Sequence, residues 1–108
     1  MLPKHKRIPR EDFGPLLASR IFVHSPHFTL RVAPGRGLAA VSVSKKVSKK
    51  AVERNRVRRR VYSVLKDLLP SRGLYLFVAK SGAVSAKGEA LQHEIRNLLK
   101  EADKRYNS

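Results

Sequence analysis

The sequence contains no cysteine, which excludes a disulfide framework, a thiolate metal site and a cysteine nucleophile. Its longest unbroken apolar run extends from Leu74 to Ala79, far too short to span a bilayer. The segment from Met1 to Arg10 is basic and no apolar stretch follows it, so we expect no signal peptide. These absences predict a soluble protein of the cytoplasm with no membrane partner and no obligate protein partner.

Acidic residues are also scarce, at 8 against 24 lysines and arginines, and the formal net charge is +16 over 108 residues. Charge of this density repels itself unless a polyanion neutralises it, which points to nucleic acid or to an anionic membrane surface. The apolar share of 42% is sufficient for a globular core. We predict one RNA-binding domain over residues 1–108, with a basic segment, residues 1–8, that is loosely held until it meets a partner.

Hydrophobic spacing predicts an α+β domain in which helices pack on a four-stranded sheet. Apolar residues alternate within the predicted strands, and they recur at spacings of three and four in the predicted helices until Pro70 ends the longest one. Ser85 is the expected cap of the last helix. In chain order the predicted elements are a helix over Pro9–Ala18, strands over Ile21–Val23, Phe28–Ala33 and Leu38–Ser44, a helix over Ser48–Leu69, a strand over Leu74–Ala79 and a helix over Ala86–Arg105.

The segment from Lys45 to Arg60 has nine basic residues in sixteen and a single acid, Glu53. Helical spacing places valines on one side, so the arginines and Tyr62 spread around the remaining circumference. Guanidinium groups suit phosphate because their planar fork makes bidentate contacts, and Asn55 adds both a donor and an acceptor. The near absence of interleaved acids favours a phosphate-binding helix over a merely solvated one. The candidate contacts are Lys45, Lys46, Lys49, Lys50, Arg54, Asn55, Arg56, Arg58, Arg59 and Arg60.

Signals for catalysis by the polypeptide itself are weak. The histidines have no acid nearby in the sequence to orient them, and Gly35 and Gly37 lack the lysine and hydroxyl residues of a phosphate loop. We therefore predict no catalytic residue and no metal ligand. The aromatic residues Phe13, Phe22, Phe28 and Tyr75 fit core packing best. If one sheet face is open beside the first helix, Phe13 and Phe28 could instead stack unpaired bases there.

One stretch resembles a known signature. The run Ser42-Val43-Ser44-Lys45-Lys46-Val47, followed by Ala51-Val52-Glu53-Arg54-Asn55-Arg56-Val57-Arg58-Arg59, is similar to the pattern of the bacterial ribonuclease P protein subunit. That pattern is V-S-K-K, a short spacer, and A-V-x-R-N-x-x-K/R-R. The resemblance covers nearly the whole chain and implies the same order of helices and strands, with a left-handed crossover between the parallel strands.

The resemblance implies a protein that assembles with a large catalytic RNA to remove the 5′ leader from precursor tRNA. The RNA and its bound Mg²⁺ ions would hydrolyse the phosphodiester bond, and the protein would raise the affinity for substrate and metal. By position, the resemblance assigns RNA contact to Arg54, Asn55, Arg56, Arg58 and Arg59, with Lys45 and Lys46 beside them. It places the single-stranded leader in a cleft between the sheet and the first helix, at Phe13, Leu17, Phe28, Arg31 and Ser42.

The sequence departs from the family pattern at four positions. Ser48 stands where glycine is usual, Tyr62 where arginine is common, and Leu17 and Arg31 where cleft residues are often aromatic. A cleft with fewer aromatic residues could hold the leader mainly by charge. Two alternatives are a structural RNA-binding protein of the ribosome and a metal-dependent nuclease that acts without RNA; the lack of clustered acids and histidines disfavours the nuclease.

Overall fold

One mixed sheet organises the protein, and the computed structural model describes residues 6–9, 13–18 and 21–106. The elements are α1 (Phe13–Ala18), β1 (Ile21–His24), β2 (Phe28–Ala33), β3 (Arg36–Ser42), α2 (Ala51–Leu68), β4 (Gly73–Ala79) and α3 (Gly88–Tyr106). The strands lie side by side in the order β1-β2-β4-β3. Strand β2 is antiparallel to β1 and β4, whereas β3 and β4 are parallel and are connected through α2. The predicted α+β class is confirmed.

The sheet has a core on each face because neighbouring residues of a strand point in opposite directions. Phe28, Leu30 and Val32 of β2 belong to the larger core, which also contains buried residues of α2 and α3. On the opposite face, Leu74 and Leu76 of β4 belong to a smaller cluster. That cluster is completed by Ile8, Leu16, Ala33, Leu38 and Ala40, with Phe13 and Val78 packed against it. Among the described residues, the cover on the second face is therefore only partial.

The segment before α1 is paired with the sheet. The Ile8 N–H donates to the carbonyl oxygen of Ala39 at 2.9 Å, and Arg7 forms a parallel bridge with the same residue. Ile8 is buried. The prediction that residues 1–8 are loosely held is therefore wrong for Arg7 and Ile8, because the outer edge of β3 offers backbone partners that sequence patterns do not reveal; residues 1–5 lie outside the described part.

Several element boundaries differ from the predicted ones for local reasons. Strand β3 runs Arg36–Ser42, and β1 continues to His24. Helix α2 begins at Ala51 rather than Ser48, since the Ser48 hydroxyl accepts the Lys50 N–H at 3.2 Å and shapes a turn there. Helix α3 begins at Gly88. Ser85 lies in a 3₁₀ turn, Ala83–Ser85, where its hydroxyl donates to the Gly82 carbonyl at 2.8 Å instead of capping α3.

Gly37 allows β3 to start beside the loop that precedes β4. Its φ is +83°, and a Cβ at this position would lie 2.7 Å from the carbonyl oxygen of Ser71. The pairing of β3 with β4 is irregular at this point, between Arg36 and Leu38. Only glycine combines the positive φ with so close an approach of a second backbone segment.

Candidate nucleic-acid interface

Helix α2 turns its apolar residues inward and most of its cations outward. Val57, Val61 and Leu65 are at most 2% exposed and belong to the larger core, so polar side chains occupy the remaining circumference. Tyr62 does not join them, contrary to the prediction. It is 9% exposed, and its hydroxyl accepts the Val41 N–H at 3.2 Å. Tyr62 therefore attaches α2 to the edge strand β3, because helical periodicity does not show where a neighbouring strand supplies a partner.

The outward surface of α2 and of the turn before it is strongly basic. Arg58 is half-buried, and its Nη1 donates to Asn55 Oδ1 at 2.7 Å, which holds the two planar groups side by side. The remaining cations of this surface present long side chains to solvent, where they are available to phosphates. The exposed cations of the predicted set are Lys45, Lys46, Lys49, Lys50, Arg56 and Arg59.

The acid of this segment is hydrogen-bonded to the turn that precedes α2. Glu53 Oε1 accepts from the Ser48 hydroxyl at 2.5 Å. Arg54 Nη1 donates to the carbonyl oxygens of Ser48 and Lys49, both at 3.0 Å. Ser48, where the family signature usually has glycine, thus organises the turn that carries the lysines. Arg54 contributes to the basic surface while one of its amino groups fixes this turn.

Arg60 has a contact that the sequence did not suggest. Its Nη1 donates to the carbonyl oxygens of Val84 at 2.8 Å and Ala86 at 3.4 Å. These atoms belong to the connection between β4 and α3, so Arg60 joins α2 to that connection. The assignment of Arg60 as an RNA contact stays a prediction, and this contact within the fold was not predicted. Sequence spacing missed it because the partners are backbone carbonyls 24 and 26 residues away.

A basic recess opens between α2 and the N-terminal segment. The guanidinium carbon of Arg7 lies 5.1 Å from the centre of the Tyr62 ring, a cation–π contact. The recess has a volume of about 380 Å³ and is lined by Arg7, Asn55, Arg58, Arg59 and Tyr62. Three guanidinium groups around one polar recess suit an anion such as a phosphate. Arg7 was absent from the predicted set because only the pairing of its segment with β3 brings it to α2.

The second sheet face carries polar residues beside the part that α1 covers. One cross-strand row consists of His24, Thr29, Val78 and Ser42, and the next begins with Phe22 and Arg31. Phe13 of α1 packs against the apolar cluster at one end of this face. Arg31, Ser42 and Phe13 of the predicted cleft therefore share this face, which we call the open sheet face. The side chain of Leu17 lies outside the described residues.

Phe28 and Phe22 lie on opposite faces of the sheet, and only Phe28 has the core position that the apolar pattern predicted for both. Phe28 is 0% exposed in the larger core, on the far side of the sheet from the cleft, with its ring edge-on to Phe77 at 6.5 Å. Its assignment to the leader cleft is therefore wrong. Phe22, expected in the core, is 41% exposed and lies on the open sheet face. Alternation along the strands explains both cases. Successive residues point to opposite faces of the sheet, and α2 and α3 cover the face of Phe28 and not that of Phe22.

A hydrogen-bonded network joins the turn between β1 and β2 to α3. The Glu94 carboxylate accepts from the Ser25 hydroxyl, from the His27 N–H at 2.8 Å and from His27 Nδ1 at 2.7 Å. Burial alone would raise the pKa of Glu94, but the hydrogen bonds from Ser25 and His27 outweigh it and lower the pKa. Both side chains donate to one carboxylate, so this is a structural network and not a serine–histidine relay. The expectation that no acid orients the histidines is therefore wrong for His27, which Glu94 orients.

Two general properties follow from the described part of the chain. Within it, no group of three or more histidine, aspartate or glutamate side chains comes together in a way that could hold a metal ion. No helix in the same residues is both long enough and apolar enough to cross a membrane. The chemically distinctive surfaces are thus the basic helix α2 with its recess and the open sheet face.

A strongly basic helix beside a partly uncovered sheet, in a small α+β domain, is typical of RNA-binding proteins. A profile of the family described as Ribonuclease P matches residues 2–103. The ribonuclease P protein component of Microcystis aeruginosa is 34% identical, over 92% of this chain and 91% of the relative. That of Cyanothece sp. is 32% identical, over 95% and 96%. The chain belongs to the ribonuclease P protein family, the protein components of the tRNA-processing endoribonuclease.

Solved structures of the family share the fold. A Staphylococcus aureus RNase P protein, a mutant with defective mRNA degradation activity, superimposes with a TM-score of 0.81 at 22% identity, over 93% of this chain and 90% of that one. The RNase P protein from Thermotoga maritima gives a TM-score of 0.77 at 17% identity, over 87% and 94%. Helix α2 and the sheet thus have the arrangement of ribonuclease P proteins.

Proposed function

We propose that the protein binds the catalytic RNA of ribonuclease P through α2 and the single-stranded 5′ leader of precursor tRNA across the open sheet face. The continuity of the two surfaces carries this proposal. Ser42 ends one row of the open sheet face, and the chain passes from it within a few residues to the exposed Lys45 and Lys46. RNA bound along this path would meet lysines at one end and Arg31 further along the sheet.

The polypeptide contributes binding, and the partner RNA with its Mg²⁺ ions contributes the hydrolysis. The donor set of the described residues supports this division, because guanidinium and ammonium groups dominate it and carboxylates do not cluster. The cations would neutralise phosphates of the RNA and of the leader together. They would thereby raise the affinity for precursor tRNA. The higher Mg²⁺ affinity would follow from the precursor being held in place on the RNA, since the positive charge by itself competes with Mg²⁺ for phosphates.

The leader contact is tested by measuring affinity for precursor and mature tRNA in the presence of the catalytic RNA, across a salt series. We expect the protein to increase affinity for precursor tRNA more than for mature tRNA, because only the precursor has a leader. It should also lower the Mg²⁺ concentration needed for cleavage. Equal effects on both tRNAs would reject leader binding, and no effect with the catalytic RNA would favour a ribosomal RNA-binding role.

Arg59→Ala tests the basic surface of α2. Arg59 is exposed and lines the recess, so its loss should remove about one phosphate contact and reduce the logarithmic salt slope of catalytic-RNA binding by about 0.7–0.9. Lys100→Ala, which removes an exposed cation of α3, is the matched control and should leave the slope unchanged. Equal slopes for the wild type and Arg59→Ala would place Arg59 outside the interface.

A further inference from the structure

The open sheet face presents an aromatic ring that the predicted cleft does not include. Phe22 lies in β1, an outermost strand of the sheet, and is one of two large hydrophobic side chains found exposed in the described residues. Its neighbours on this face are polar, so it is not part of an apolar patch of the kind that protein partners bury. An exposed ring among polar and charged groups suits a ligand that offers both a flat surface and charge.

Two further planar groups surround the Phe22 ring. Arg31 is its direct cross-strand partner, and the guanidinium carbon lies 6.0 Å from the ring centre. His24 stands edge-on to the ring, with centres 5.3 Å apart and planes at 75°. His24 is itself positioned by a hydrogen bond between its Nδ1 and the Thr29 hydroxyl at 3.0 Å. Strand pairing thus presents a phenyl, a guanidinium and an imidazole group together.

We propose that Phe22, with Arg31 and His24, forms a stacking site for one unpaired nucleobase. A phenyl ring stacks on any base, and a neighbouring guanidinium adds a cation–π contact and attracts the adjoining phosphate. Nucleic acid is the favoured occupant because the chain carries a net charge of +16. The identity of the RNA as the leader rests on the proposed function, whereas stacking on Phe22 depends only on the geometry of β1 and β2.

The site shares Arg31 with the predicted cleft and extends it to the outer strand β1. Ser42 and Phe22 belong to β3 and β1, the two opposite edges of the sheet, which are separated by about 14 Å at the usual strand spacing. Arg31, where an aromatic residue is usual, directly faces Phe22. The aromatic surface is therefore displaced by one strand, from β2 to β1. A base stacked on Phe22 would lie beyond Arg31 as seen from Lys45 and Lys46.

Stacking is tested with the full-length protein and a single-stranded RNA that contains 2-aminopurine, whose fluorescence responds to stacking. We expect the wild type and Phe22→Tyr to change the fluorescence of the bound RNA. Phe22→Leu, which keeps an apolar side chain without a ring, should bind the RNA and leave that fluorescence unchanged. An identical signal from Phe22→Leu and the wild type overturns the proposal. Because Phe22 is exposed, all variants should unfold near the wild-type temperature, and melting curves check this.

The reconstituted complex then tests whether the stacked base belongs to the leader. Precursor tRNAs with one abasic nucleotide at successive leader positions should reveal one position where the wild type loses about tenfold in affinity. Phe22→Leu should bind intact precursor about tenfold more weakly and be insensitive at that position, with mature tRNA binding unchanged. If the wild type does not prefer precursor tRNA, the proposed function fails, and the fluorescence result still decides the stacking site. If it does, and Phe22→Leu behaves like the wild type, the stacking site is refuted while leader binding stands.

Discussion

Glu94→Gln should lower the free energy of unfolding by about 2–3 kcal/mol, because the Glu94 carboxylate accepts three hydrogen bonds from Ser25 and His27. The Glu94 side chain is 12% exposed, and hydrogen bonds to charged groups contribute about 1.5–3 kcal/mol each. Glutamine is neutral, so its hydrogen bonds to Ser25 and His27 lose the strength that the carboxylate charge gives them, even where the neutral His27 ring can accept from the amide NH₂. For a domain of this size the melting temperature should then fall by roughly 10–20 °C.

The effect of Glu94→Gln should also depend on pH in a defined direction. The pKa of Glu94 is lowered by its partners from the ordinary glutamate value of 4.5, so the unfolded chain takes up a proton before the folded one does. The carboxylate therefore contributes its full stabilisation above pH 4.5 and loses it as the pH falls through the folded-state pKa. Chemical denaturation from pH 7 downward should show the wild type and the variant converging in acid.

Glu101→Gln provides the matched control on the same helix. Glu101 is 50% exposed and has an ion pair with Lys104 at 3.7 Å, so its substitution should change stability by less than about 1 kcal/mol. If Glu94→Gln lowered the free energy of unfolding by no more than Glu101→Gln does, the reasoning would be refuted. A difference that stayed constant down to strongly acidic pH would show that the carboxylate charge is not its source.

Two further substitutions test contacts that hold α2 and β3 in place. Tyr62→Phe leaves the Val41 N–H without the hydroxyl that accepts it at 3.2 Å, so the urea midpoint should fall by the equivalent of about 1–3 kcal/mol with the m-value unchanged; an unchanged midpoint contradicts this. Gly37→Ala adds a methyl 2.7 Å from the Ser71 carbonyl at a φ of +83° and should cost at least about 1–3 kcal/mol in thermal unfolding. Gly14→Ala, whose methyl would meet no described atom within 4 Å, should not destabilise the protein.

Sequence patterns predicted the elements well where one periodicity controlled them. The apolar run of β4 and the valine spacing of α2 identified a buried strand and a packed helix, and both are present. The boundaries near Ser48 and Ser85 were less accurate, because a single side-chain hydrogen bond to the backbone decides each of them. Helical spacing also placed Tyr62 outward, because the spacing of apolar residues does not show that the Val41 N–H of a neighbouring strand donates to its hydroxyl.

The candidate site was predicted in part for the same reason. The cations from Lys45 to Arg59 could be identified because their density is a property of the chain itself. The structural contact of Arg60 was missed because its partners lie in the distant connection before α3. The resemblance placed Phe28 in the leader cleft and the apolar pattern placed Phe22 in the core, and both assignments are wrong. Alternation shows that two faces exist but does not show which face the helices cover.

The sequence by itself therefore determined the charge of this protein, its class of partner, its order of helices and strands and the helix that carries five of its thirteen arginines. These properties depend on composition and on contacts between residues close in the chain. Only the tertiary structure decided that Arg7 lines the recess beside Arg58, that the Glu94 carboxylate accepts a hydrogen bond from His27, and that Phe22 is exposed whereas Phe28 is buried. Each of these depends on the pairing order and packing of the sheet, which bring together residues distant in sequence that no local pattern relates.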